Sequence, residues 1–159
     1  MAEEKLWEEG FEGVTPGRHQ ILKLAHFDIE LKTTWGAADV PLNCRNATPT
    51  ETAAGFLGNV LEFSGDPMSE GVRAQMKVTL KSEERILRIR CKLISTFNAV
   101  VQIFNQDGRF VDEINVSDGQ FDYSIRDSQW DSIGWLSMFY TLDYSGPTVD
   151  GFEGYTWKV

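Results

Sequence analysis

The chain has 159 residues, 42% hydrophobic and 25% charged, a size and mixture that suit one folded domain around one core. Its net charge of −9 argues against nucleic acid or an anionic membrane surface as partner, because phosphate recognition needs clustered cations. No run approaches the ~18–20 apolar residues of a membrane span, and no cysteine-rich pattern calls for a disulfide scaffold.

Residues 1–18 are acidic and glycine-rich and are expected to form an arm ahead of a single β-sandwich domain over residues 19–159. Glu3, Glu4, Glu8 and Glu9 stand where a signal peptide needs a basic and then an apolar stretch. The expectation is a cytoplasmic chain, one exported without a signal peptide, or one whose signal has been removed. Leu6, Trp7 and Phe11 would dock the arm on the domain, and Val14–Gly17 is a turn signal.

From Ile21 onward the hydrophobic period is two. His26–Trp35 sets Phe27, Ile29 and Leu31 against Asp28, Glu30 and Lys32, and Asp39–Cys44 alternates Val40, Leu42 and Cys44. Residues 46–58 are small and polar and predict a loop. Asn59–Phe63 predicts a short strand. Gly71–Lys81 places Val72, Ala74, Met76, Val78 and Leu80 on one face. Arg85–Ile94 does the same with Leu87, Ile89, Cys91 and Leu93, and Ser82–Glu84 lies between the two runs. Two alternating runs around a short polar turn predict a hairpin with one core face. Its other face would be a cationic stripe of Arg73, Lys77, Lys81, Arg88, Arg90 and Lys92, either a solvated outer face or an anion site.

Ala99–Asn105 and Arg109–Asn115 flank Asp107-Gly108, a dipeptide that tolerates the positive φ of a tight turn, and predict a second hairpin. Phe121–Ile125, Trp135–Tyr144 and Tyr155–Val159 complete the strands, and Asp127–Ile133 predicts one helical turn. About ten short strands of this kind predict an all-β antiparallel two-sheet sandwich, with a closed lipocalin-like barrel as the alternative. Cys44 and Cys91 fall on apolar faces and are expected to be buried free thiols.

Motifs for catalysis and metal binding are absent. His19 and His26 are the only histidines and are expected at the surface. There is no HExxH, CxxC, calcium-loop or phosphate-loop pattern, so no cofactor and no metal are expected, and the chain is expected not to be an enzyme. Asp127, Asp131, Asp143, Asp150 and Glu153 lie near tryptophans in the last third and are the carboxylates a glycosidase would draw on. Tryptophan and tyrosine are frequent there too. Their default place is the core, and an exposed one could stack on a sugar ring.

The order of features resembles the galectin family of β-galactoside-binding lectins. Gly13–Gly17, Ile21–Leu24 and Phe27–Leu31 are similar to the family's opening strands. Asp39–Arg45 is similar to the strand that carries its His-x-Asn-x-Arg sugar motif, and Leu87–Cys91, Val100–Asn105, Gly108–Val111, Phe121–Ile125 and Trp130–Leu136 are similar to later strands. Asn43-x-Arg45 keeps part of the motif. Pro41 stands in place of the histidine, no tryptophan occurs between Trp35 and Trp130, and the family's Glu-x-Arg pair is missing. The resemblance implies a jelly-roll sandwich and a glycan or glycoprotein partner.

Residue chemistry points to the same place. Sugar hydroxyls are recognised by planar polar groups, and Asn43 and Arg45, two apart on a strand, share the polar face opposite Leu42 and Cys44. Glu62 and Arg73, on the runs that follow, join them if those strands are neighbours. The expected function is non-enzymatic carbohydrate binding through Asn43, Arg45, Glu62 and Arg73. The alternatives are a protein-interaction module that kept the fold and lost sugar binding, and a barrel holding an apolar small molecule.

Overall fold

The computed structural model describes residues 2–33, 42–63, 74–94, 99–116, 119–125, 132–140 and 148–158. Within them the chain forms two antiparallel sheets packed face to face. One has the strand order β11-β8-β13-β6-β5-β2 with β1 also paired to β13; the other has the order β10-β9-β12-β7-β4-β3. The strands are β1 (Ala2–Glu9), β2 (Gly17–His19), β3 (Ile21–Lys23), β4 (Phe27–Thr33), β5 (Leu42–Asn46), β6 (Asn59–Phe63), β7 (Ala74–Leu80), β8 (Arg88–Ile94), β9 (Ala99–Asn105), β10 (Phe110–Val116), β11 (Gly119–Ser124), β12 (Ile133–Tyr140) and β13 (Thr148–Lys158), with one short helix, α1 (Pro49–Ala53). The arrangement is that of a jelly-roll sandwich. The sheets do not close on one another, so the barrel alternative is corrected.

Alternation along each strand sends one set of side chains between the sheets. Leu42, Cys44 and Leu61, together with Ile89, Cys91 and Leu93, meet Phe27, Ile29, Met76, Val78, Ile103, Leu136 and Met138 in one buried cluster. Cys44 and Cys91 are both buried free thiols, as expected, and burial pushes both thiol pKa values up.

The predicted hairpin over residues 71–94 is corrected. β7 pairs with β4 and β12, whereas β8 pairs with β11 and β13 in the opposite sheet. Residues 81–87 are an arch between the sheets: Lys81 N donates to His26 O on one side, and Leu87 N donates to Tyr155 O on the other. The two apolar faces are core faces that meet across the sandwich. The β9–β10 hairpin forms as predicted, with Gly108 at φ 83° in its turn.

The acidic N-terminal segment supplies a strand. β1 pairs along the second half of β13, and Trp7, Phe11 and Val14 belong to the core. Phe11 meets Phe27 and Phe152 edge to face, both at 6.3 Å between centroids. Trp7 lies against Gly154, where an added Cβ would stand 2.5 Å from the indole. β13 begins seven residues before the strand expected at Tyr155. Gly151, at φ 60°, sits where its register with β8 shifts between Asp150 and Glu153. Of the predicted turn at Asp127–Ile133, residues 127–131 lie outside the described residues and Ile133 opens β12.

Candidate functional site

β5 and β6 are antiparallel neighbours, with Asn43 opposite Glu62 and Arg45 opposite Val60. Leu42 and Cys44 point into the core, so period two sends Asn43, Arg45 and Glu62 to the outer face. Asn43 Nδ2 donates to Glu62 Oε1 at 3.3 Å, and an Arg45 guanidinium nitrogen donates to Glu62 Oε2 at 3.0 Å. The three residues expected to share a site are thus brought together. Arg73, the fourth, lies outside the described residues.

One member of the cluster was missed. Residues 46–58 contain helix α1, and its Glu51 is buried against Arg45. The guanidinium donates to the two Glu51 carboxylate oxygens at 2.6 and 2.9 Å, and to Asn46 O at 3.1 Å. Thr48 N donates to Glu51 Oε1 at 2.8 Å, and Glu51 N donates to Thr48 Oγ1 at 3.2 Å. This is a capping box, and its signal was present as Thr48-Pro-Thr-Glu51. Arg45, hydrogen-bonded chiefly to Glu51 and then to Glu62, is held firmly protonated, and its guanidinium draws the Glu51 carboxyl down to about 2.

Four hydrogen bonds tie Arg45 to Glu51, Glu62 and Asn46. Asn43, Arg45 and Glu62 are all partly exposed on this outward face. A carboxylate offers about four acceptor positions, and these bonds occupy two on Glu62.

The cationic stripe is corrected on two counts. Lys77 lies on one sheet, with Lys81 just past the end of its strand, and Arg88, Arg90 and Lys92 lie on the other. Lys81 pairs with Asp28 at 2.8 Å. Arg88 makes a bidentate pair with Asp122, at 2.8 and 2.6 Å, and reaches Glu3 of β1 at 2.6 Å. Arg90 lies 3.4 Å from Asp122 and 3.8 Å from Glu153, and Lys92 donates to Gly55 O. Arg88 and Arg90 are thus paired with carboxylates within the chain, and Arg73 of the expected stripe lies outside the described residues.

His26 Nδ1 lies 2.7 Å from Glu9 Oε2, its ring stacked on Trp7, and His19 Nε2 lies 2.7 Å from Thr15 O. Of the carboxylates singled out near tryptophans, Asp150 is buried and accepts from Leu57 N at 3.2 Å, while Glu153 accepts from the Tyr155 hydroxyl. Asp127, Asp131 and Asp143 lie outside the described residues. On the outer face of the six-stranded sheet, Trp135 stacks on Phe104 at 3.6 Å, and Phe110 meets Phe104 edge-on at 5.8 Å.

Fold and geometry define an antiparallel β-sandwich with an internally hydrogen-bonded polar array on one outer face. No protein-family model and no curated protein sequence matches the chain. Among solved structures, it is similar to the enzymatically active domain of tailspike protein 4 of bacteriophage CBA120, at 15% identity and a TM-score of 0.56 over 80% of this chain. The matched part is 19% of that tailspike chain, so this chain spans about a fifth of its length. It is also similar to a family 29 carbohydrate-binding module (8% identity, TM-score 0.43, 80% of this chain and 92% of that one) and to the family 11 module from Clostridium thermocellum in complex with a β-1,3-1,4-mixed-linked tetrasaccharide (14%, 0.44, 88% and 96%). The likeness to the tailspike domain is one of fold.

Proposed function

We propose that this chain is a non-enzymatic carbohydrate-binding protein that contacts its ligand through Asn43 and Glu62, with Arg45 as the residue that positions Glu62. The observation that carries the reading is the cross-strand array itself. An amide and a carboxylate stand side by side on an outward face, joined at 3.3 Å, with the carboxylate fixed from its other oxygen at 3.0 Å. Pre-fixed planar groups bond sugar hydroxyls without a further ordering cost. Glu51, held near pKa 2 by Arg45, serves as the guanidinium's counterion.

The ligand class is a neutral glycan, since the chain carries a net charge of −9 and anionic sugars would meet repulsion. Galactoside specificity is not part of the proposal, because Pro41 replaces the lectin histidine and no tryptophan lies between Trp35 and Trp130. The test is a broad glycan array probed with the folded chain. Binding to at least one neutral glycan, absent from the Asn43→Ala/Glu62→Ala double variant, is the expected result. A folded chain that binds no glycan would refute the proposal.

A further inference from the structure

We propose that Arg18 is a third contact of the glycan site, and that the site takes a linear neutral glycan of at least two sugar residues, laid across strands β2, β5 and β6. This inference deepens the carbohydrate-binding reading and rests on it. β2 is the edge strand of the seven-stranded sheet and pairs with β5. Arg18 stands directly opposite Asn43, and Asn43 directly opposite Glu62. Residues directly opposite one another in an antiparallel pair point to the same face. Leu42 and Cys44 face the core, so Arg18 shares the outer face with Asn43 and Glu62.

Arg18 is the uncommitted member of that row. It is exposed, and its guanidinium donates to no group among the described residues. The other arginines on the described strands of this sheet hold carboxylates: Arg45 those of Glu51 and Glu62, Arg88 those of Asp122 and Glu3, and Arg90 that of Asp122. Carboxylates are not scarce in a chain with 24 acidic and 15 basic side chains. Arg18 has none, which leaves its N–H donors open to a ligand. The backbone beneath it is fixed. Gly17 and His19 pair with Cys44 and Leu42, and His19 Nε2 lies 2.7 Å from Thr15 O. In the preceding turn Asn59 Nδ2 donates to Phe11 O at 3.3 Å and to Val14 O at 3.4 Å.

The row grades from donor to acceptor. Arg18 offers N–H donors alone, Asn43 an amide of both kinds, and Glu62 acceptors alone. Neighbouring hydroxyls of a pyranose can accept from the first and donate to the last. Adjacent strands lie about 4.8 Å apart, so the three side chains span about 10 Å. That exceeds one pyranose ring and suits two joined rings crossing the strands. The charges of the cluster balance, Arg18 and Arg45 against Glu51 and Glu62, so no net local charge calls for an ionised sugar.

The experiment follows the 15N-labelled full chain by NMR at the Arg18 Nε–H, the Asn43 side-chain amide and the backbone amides of β2, β5 and β6. The chain is titrated with the methyl β-glycosides of glucose, galactose and mannose, and with the β-1,4-linked disaccharides of the same sugars. At least one disaccharide should shift both the Arg18 and the Asn43 signals and bind about tenfold more tightly than its methyl glycoside. Arg18→Ala should remove that gain and leave the methyl glycoside's effect at Asn43 unchanged. Arg109→Ala, which removes the same charge from an exposed position in the β9–β10 turn, should change neither. Arg18 is exposed on an edge strand, so its variant is expected to fold, and a thermal melt checks it. A disaccharide that shifts Asn43 but not Arg18, or that binds Arg18→Ala as tightly as wild type, overturns this inference and leaves the proposed function standing. Arg18 is then an edge charge that discourages strand addition. Shifts at neither residue with any of these sugars also overturn it, and a folded chain that in addition binds nothing on the glycan array overturns the proposed function as well.

Discussion

Arg45 and Glu51, six residues apart, are joined by hydrogen bonds of 2.6 and 2.9 Å, and this pair fastens helix α1 to the outer face of the seven-stranded sheet. Phe56 and Val60, which flank this segment on its C-terminal side in the chain, are both fully buried and outside the main core cluster. The pair therefore links the proposed glycan contacts to the stability of the region around them.

Glu51→Gln should lower unfolding free energy by about 2 kcal/mol at pH 7, because the charge-assisted hydrogen bonds of a buried carboxylate are lost while Glu62 remains the guanidinium's partner. The pH dependence has a definite sign. The folded pKa of about 2 lies below the ordinary 4.5, so the contribution is present above pH 4.5 and is lost as pH falls toward 2. Urea unfolding of both proteins should show the gap at pH 7 shrinking by pH 3. A pH-independent gap would contradict the pairing.

Asp150 should behave in the opposite sense. Burial is the main cause that pushes its carboxyl up, and its Oδ1 is buried without a hydrogen-bond partner among the described residues. A folded pKa above the unfolded one means that ionisation disfavours the fold as pH rises through the folded value. Asp150→Asn, which keeps an oxygen for Leu57 N, should raise stability by about 1 kcal/mol at pH 7 and by nothing near pH 3. Thermal melts at the two pH values measure it.

Phe11 is fully buried between Phe27 and Phe152. Phe11→Ala should cost about 3–4 kcal/mol, the ordinary cost of emptying an aromatic core position. A cost under about 1 kcal/mol by denaturant titration would mean that the N-terminal segment is not part of the core.

Gly154→Ala should dislodge Trp7, since the new methyl would stand 2.5 Å from the indole. The expected readouts are a red-shifted tryptophan emission and loss of hydrogen-exchange protection along β1, with the strands of the other sheet unchanged. An unchanged β1 would contradict the contact.

The strands were legible because one face of each is dry. Period two correctly sends Met76 and Val78, and Ile89, Cys91 and Leu93, into the core. Pairing was not legible from it, because alternation says which residues face the core and not which sheet they face it from. A link of seven residues, 81–87, serves a hairpin or an arch equally well in pattern, and here the bonds from Lys81 and Leu87 to different sheets decide for the arch. The β9–β10 hairpin was legible because Asp107-Gly108 adds a turn-specific conformational requirement.

Two other elements were obscured by local composition. β13 carries Gly151 and Gly154, which interrupt the alternation, although Val149 and Phe152 are fully buried. β1 is dominated by glutamates because most of its residues are exposed. Alternation puts Asn43 and Arg45 on one polar face, and Glu62 joins them because β6 is the neighbour of β5. Glu51 was not legible, because its contact with Arg45 depends on a helix short enough to pass for loop.

The central claim is carbohydrate contact through Asn43 and Glu62, and calorimetric titration of a glycan selected on the array tests it most directly. Wild type, Asn43→Ala and Glu62→Ala are compared, each shown to be folded by its melt. The account predicts at least tenfold weaker binding in each variant, about 1.4 kcal/mol. Wild-type affinity retained in both variants would contradict it.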